Sequence, residues 1–244
     1  MKTKLTIALS FILISNLNAQ DSLSVKNYYI EGEVTLGYLH SNFSPINSFL
    51  TTNGLGSLSR NRFNLGASSI QIRNKFVFGV GFDILIPTSE SQPGNRETRL
   101  KGISFGPLLG YIVLQKRNIT IYPYIRLYDN LFSLKIIDNQ SVADASSLLS
   151  GTTRNVSMDY NFRFIDFGLS INKNFSQKNT DWDCPQSHRY LILGLKVGYF
   201  FSADHNSGEY NNQILSGTPA LGYKGPYIKL SFGFGSRLRQ LKWH

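Results

Sequence analysis

The sequence predicts an all-β fold, an eight-stranded antiparallel up-and-down transmembrane β-barrel, on three observations. Segments alternate apolar residues with glycine and charge, the links between them alternate long and short, and beyond the first twenty residues no run is apolar for the roughly 18 residues a membrane helix needs. The stretch "KFVFGVGFDILI" shows the alternation. In a strand, Phe76, Phe78, Val80, Phe82, Ile84 and Ile86 share one face, and Lys75, Val77, Gly79, Gly81, Asp83 and Leu85 share the other. A water-soluble sandwich turns the greasy face inward and dresses its outside with Thr, Lys, Glu and Ser. A membrane barrel turns the greasy face outward and keeps the small, partly charged face for its lumen.

The elements follow in order. "MKTKLTIALSFILISNLNAQ" places Lys2 and Lys4 before an apolar run from Leu5 to Ile14 and ends on Leu17-Asn18-Ala19, the pattern of a cleaved secretory signal over residues 1–19. Residues 20–244 then form one barrel domain. Strands are expected at 29–40, 63–73, 75–86, 102–114, 119–129, 159–171, 189–202 and 225–236, although splitting one pair differently gives ten. "YIEGEVTLGYLH" sets Ile30, Val34, Leu36 and Tyr38 against Glu31, Glu33, Thr35 and Gly37. "YLILGLKVGYFF" sets Leu191, Leu193, Leu195, Val197, Tyr199 and Phe201 against Tyr190, Ile192, Gly194, Lys196, Gly198 and Phe200. In "NFRFIDFGLSI" the apolar parity slips between Phe164 and Ile165, which predicts a bulge or a displaced strand end there.

Long links follow the first, third, fifth and seventh strands, and tight turns fall at Asn74 and at "QKRN". Membrane barrels have short periplasmic turns and long outer loops, so this alternation puts both termini in the periplasm and four loops outside. The link "NKNFSQKNTDWDCPQSH", within 172–188, is longer than that rule expects.

On this register the lumen receives Glu31, Glu33, Asp83 and Asp166 with Lys75, Arg126, Lys196 and Lys229. A dry interior tolerates these only as pairs. Eight strands leave an interior just wide enough for side chains to fill, and inward Tyr122, Tyr124, Tyr128, Tyr190 and Phe200 would fill it, so a plugged pore is expected. The formal net charge of +10 remains basic after Lys2 and Lys4 are removed. Arg73, Lys75, Lys116, Arg117, Lys173, Lys178, Arg237, Arg239 and Lys242 gather at the turn end, where a cationic rim meets lipid phosphates. Export removes nucleic acid as a partner.

These patterns, "ISFGPLLGYIV" and "YIKLSFGFG" above all, resemble the small eight-stranded bacterial outer-membrane barrels of the OmpX and OmpA-barrel type, the outer membrane beta-barrel protein families. The resemblance covers nearly all of residues 20–244. It implies an integral outer-membrane protein whose partners are outer-membrane lipid and lipopolysaccharide, the barrel assembly machinery, and an extracellular protein or surface ligand met by the loops. It brings no cofactor and no catalytic residues. The chain ends "RLRQLKWH", with Trp243 penultimate, where such families often end on an aromatic residue.

Three functions are open at this stage. The first is a plugged barrel with a structural or interaction role, in adhesion, envelope integrity or host contact. The second is a small pore or hydrophobic-ligand transporter. The third is a lipid A-modifying hydrolase. For the third, "DHNSGEY" offers His205, Ser207 and Glu209, a base, a hydroxyl and a carboxylate, but same-face strand neighbours stand about 7 Å apart and nothing brings the hydroxyl to the imidazole. His40 with His205 makes two ligands of a metal site without a third. Asp181, Asp183, Cys184 and His188 lack the paired cysteines of a zinc site, so no metal is expected. Cys184, the single cysteine, has no internal disulfide partner. "GLGSLSR" lacks the Lys-Ser/Thr of a phosphate loop.

Overall fold

A computed structural model describes residues 28–91, 96–138, 156–176, 187–202, 209–210, 213–214, 219, 221 and 223–238. Eight long strands close into an antiparallel barrel: β1 (Tyr28–His40), β2 (Asn61–Arg73), β3 (Phe76–Ser91), β4 (Arg96–Tyr111), β6 (Ile119–Asp138), β7 (Val156–Ser176), β8 (Ser187–Ser202) and β11 (Lys224–Leu238). Each pairs with its chain neighbour, and β11 returns to β1 to close the ring. The short β5 (Leu114–Lys116) leads into β6, and the pair β9 (Glu209–Tyr210) and β10 (Gln213–Ile214) touches β7 through Asp159 and Glu209. One helix, α1 (Ser44–Thr52), lies between β1 and β2. Residues 1–19, where a cleaved secretory signal is expected, lie outside the described residues.

The ladder is staggered. Its path from Tyr29 through Ile72, Val77, Gly110, Tyr124, Gly168, Gly198 and Tyr227 comes back to β1 at Leu39 rather than at Tyr29, and a closed sheet with such a stagger must tilt its strands against the barrel axis. On this path Tyr124 stands between Gly110 and Gly168, and Gly198 separates Gly168 from Tyr227. A Cβ added at Gly168 would stand 2.5 Å from Tyr124 Cζ, so the two phenol rings fit only because glycine leaves the space.

Side-chain direction follows the predicted parity. Phe76, Val80, Phe82 and Ile84 are exposed on the outer surface, while Val77, Gly81, Asp83 and Leu85 are buried. Val34, Phe232 and Phe234, 59%, 58% and 69% exposed, continue the band around the barrel. A continuous belt of exposed aliphatic and aromatic side chains on a closed sheet is a face made for lipid. Among the described residues no helix is long and apolar enough to cross a membrane.

Four sequence expectations change. First, the loop predicted between Ile86 and Gly102 is mostly strand, because β3 continues to Ser91 and β4 begins at Arg96. Likewise β6 runs to Asp138 and β7 starts at Val156. Second, the parity slip at Phe164–Ile165 is no bulge: the β6–β7 register runs unbroken from Ile119↔Lys173 to Ile136↔Val156. Met158, Tyr160, Phe162 and Phe164 point inward, whereas Ile165, Phe167, Leu169 and Ile171 are on the outer face. At this level the outer surface turns polar, with Asp159, Asn161 and Arg163, and the inner surface turns apolar. The barrel leaves lipid there and adopts the apolar-in, polar-out rule of a soluble sheet. The register shift lies instead in β3, between Leu85 and Thr88, beside Pro87, which has no N–H to give the ladder.

Third, α1 was not foreseen. Pro45 starts it, Ile46 and Leu50 share its buried face, and Asn47 clips it to the chain ahead of β2: its amide donates to Leu58 O at 3.0 Å and its carbonyl accepts from Leu58 N at 2.7 Å. Fourth, Lys75 is not in the lumen. It sits exposed in the tight β2–β3 turn beside Asn74, whose φ of 59° is the left-handed conformation that asparagine tolerates.

Candidate functional site

Among the described residues charge, aromatic rings and burial converge in the barrel interior, which is built in three layers. In the middle layer Glu31, Glu33, Asp83, Asp166, Arg126, Lys196 and Lys229 are all buried. Strand alternation puts each there, since a position two residues along a strand returns to the same face. Asp83 on β3 is the hub. It accepts from Lys229 Nζ at 3.0 Å on both oxygens, from Arg126 Nη1 at 3.5 Å, from Asn64 Nδ2 at 2.8 Å and from the Tyr128 hydroxyl. Glu33 on β1 pairs with Lys196 across the lumen and accepts from Asn172 and Ser68, each at 3.2 Å. Glu31 takes the Tyr190 hydroxyl at 2.7 Å, and Asp166 takes the Tyr227 hydroxyl at 2.5 Å, itself 2.7 Å from the Tyr124 hydroxyl.

The tyrosines do more than fill the lumen. Their hydroxyls also donate to the two carboxylates that have no cation of their own, one oxygen of Glu31 and one of Asp166, which helps four acids share this space with three buried bases. Asn64, Ser68 and Asn172 were passed over as well, although their position on the inward parity of β2 and β7 was the available signal.

Above this layer, at the end carrying α1, the interior is closed by apolar and aromatic packing. Tyr223, just ahead of β11, packs its ring 4.5 Å from that of Phe200 and 5.0 Å from that of Phe132, centroid to centroid, and Phe43, Ile46 and Leu50 close over the top. Burial pushes the Tyr223 phenol above its ordinary range. The guanidinium of Arg62 is buried in the same cap, 5.8 Å from the Phe43 ring centroid. Between cap and ion-pair layer lies a cavity of about 20 Å³, lined by Asp83, Tyr128, Asp166, Tyr227 and Lys229 with the aromatics above them, room for one water and no solute. Below, toward the tight turns, Ile70, Ile72, Val77, Leu108 and Tyr122 form a second apolar cluster.

The remaining candidates are not assembled by the described structure. Glu209 lies on β9, while His205 and Ser207 fall outside the described residues. Asp181, Asp183 and Cys184 also fall outside them, and His188 pairs with Arg237 in the β8–β11 ladder. His40 Nδ1 stands 2.9 Å from Asn61 Oδ1. Among the described residues no group of three His, Cys, Asp or Glu is placed to hold a metal ion.

No protein-family model matches the chain, and no curated protein matches it. Solved structures similar to it include Neisserial surface protein A, at 13% identity over 87% of this chain and 97% of that one, with a TM-score of 0.42. Ail, the attachment invasion locus protein of Yersinia pestis, is 8% identical over 87% and 99%, with a TM-score of 0.40. The outer membrane protein OprG from Pseudomonas aeruginosa is 10% identical over 89% and 98%, with a TM-score of 0.34. The functional reading therefore rests on the geometry of the barrel itself.

Proposed function

We propose that this chain is an integral outer-membrane barrel with a plugged lumen that acts as a rigid scaffold, presenting the segments at its α1-bearing end for adhesion, host contact or envelope integrity. The supporting observation is the filled interior: paired ions, tyrosine hydroxyls and an aromatic cap leave a cavity of about 20 Å³ where a channel would run. Residues 1–19 act as the export signal and residues 20–244 as the barrel. The termini and tight turns face the periplasm and the α1-bearing end faces outward, where the exposed Asp159, Asn161 and Arg163 of β7 stand clear of lipid. Function then resides in loops set on a stable frame. Lipid, lipopolysaccharide and the barrel assembly machinery are the membrane-side partners, and a protein or surface ligand is the partner of the loops.

Purified protein reconstituted into planar bilayers is expected to show no steady conductance above that of protein-free membranes, and liposomes containing it should not swell in small sugars. Sustained flux of either kind would replace the scaffold with a pore.

A further inference from the structure

The cavity between the aromatic cap and the ion-pair layer is small, but its walls are not those of an ordinary packing defect. On the side of the ion-pair layer it is lined by Asn64, Asp83, Ser104, Asp166 and Lys229, each more than nine-tenths buried. These residues come from β2, β3, β4, β7 and β11, and they meet because each takes the inward parity of its strand. Glycine makes the room: a Cβ at Gly37 would clash with Asn64 Oδ1, and one at Gly66 with Asp83 Oδ1.

One acceptor in this wall is left over. Asn64 gives its amide to Asp83 at 2.8 Å, but its side-chain carbonyl Oδ1 is enclosed and takes no hydrogen bond from the described residues. Such an orphan is costly unless something reaches it. Its neighbours have capacity to spare. The Lys229 ammonium carries three protons and directs both of its hydrogen bonds to Asp83, Asp166 takes the Tyr227 hydroxyl on Oδ1, and the Ser104 hydroxyl can give or accept. Cavities that stay dry are lined by apolar groups, and this one is not. An ion does not suit it, because Asp83 and Asp166 are already balanced by Lys229 and by Arg126, and a further buried charge would be uncompensated. A volume of about 20 Å³ with several polar partners matches one water molecule.

From this we infer that the cavity is a built hydration site, in which one ordered water donates to Asn64 Oδ1 and Asp166 and accepts from Lys229 or Ser104. The water is then a structural part of the plug, joining β2 to β4, β7 and β11 where the ion-pair layer gives way to the cap. This goes beyond the scaffold role and does not depend on which way the barrel is oriented or on what its loops meet.

Crystals of the full chain grown from a lipid mesophase test the assignment directly. At a resolution that shows buried waters, the cavity should hold a single peak within roughly 2.7–3.2 Å of Asn64 Oδ1 and of a polar atom of Asp166, Ser104 or Lys229. Oxygen-17 relaxation dispersion of the full chain folded in uncharged detergent reads the same site in solution. It follows the oxygen of water, so exchanging hydroxyl and ammonium protons do not mimic the signal. Ser104→Val removes one partner and fills part of the space, and it should lower the dispersion by about one long-lived water relative to wild type. An empty cavity in the crystal would overturn the inference, as would a peak with the contacts of an ion, or a folded Ser104→Val protein that keeps the wild-type dispersion. If that variant does not fold, the wild-type crystal decides alone.

Discussion

Asp83→Ala should be the most damaging single substitution in the lumen, lowering the stability of the folded barrel by about 3–5 kcal/mol. Asp83 is the shared counter-ion of Lys229 and Arg126, which are 6% and 5% exposed. Removing it leaves two buried cations facing each other, frees the amide of Asn64 and the hydroxyl of Tyr128, and opens space beside a cavity already present. The cost comes from stranding the partners, so it should fall when they are removed as well: Asp83→Leu combined with Arg126→Met and Lys229→Met should regain much of the lost stability, as buried ion pairs often do when replaced by apolar residues of similar volume. Urea unfolding in lipid vesicles measures both. A loss under about 1 kcal/mol for Asp83→Ala would mean that the lumen network holds far more water than the packing shows.

The second large effect distinguishes the two faces of one strand. Gly81→Leu should destabilise the barrel by about 1–3 kcal/mol or more, whereas Val80→Leu should unfold at the denaturant concentration of wild type. Even the first atom of a side chain at Gly81 would stand 2.8 Å from Arg126 Nη1, so a leucine must displace the guanidinium from Asp83. Val80, 37% exposed on the belt, meets a fluid that accepts a longer apolar side chain at no packing cost. Equal stability of the two variants would mean that Gly81 does not face a packed lumen.

Strand number, closure and facing were legible because a lipid-facing barrel imposes a period of two with its greasy side out, and "KFVFGVGFDILI" carries that period without interruption. The same template failed where the solvent changes. In "NFRFIDFGLSI" the period of two never breaks; only the apolar set changes face, at Phe164–Ile165, where β7 passes from water into lipid. Read as lipid-facing throughout, such a strand looks bulged, and the ends of β3, β4 and β6 look like loop for the same reason. The buried charges were legible as single inward residues, but their partners were not. Register alone decides that Asp83 meets Lys229, from a strand far away in sequence, and that Tyr190 and Tyr227 rather than cations serve Glu31 and Asp166. Lys75 was misassigned because the tight turn at Asn74 ends the strand before that lysine can face the lumen. The helix α1 went unseen because its apolar signal is only Ile46 and Leu50, too short a pattern to stand out from a polar loop.

The central claim is that the exposed apolar belt lies in a membrane and encloses a closed, filled barrel. Fractionation of expressing cells, followed by electrophoresis of the envelope fractions with and without boiling, tests it most directly. The account predicts recovery in the outer-membrane fraction, with the unheated protein migrating at a different position from the boiled protein because the closed barrel resists the detergent. Recovery as a soluble periplasmic protein, with one mobility in both lanes, would contradict it.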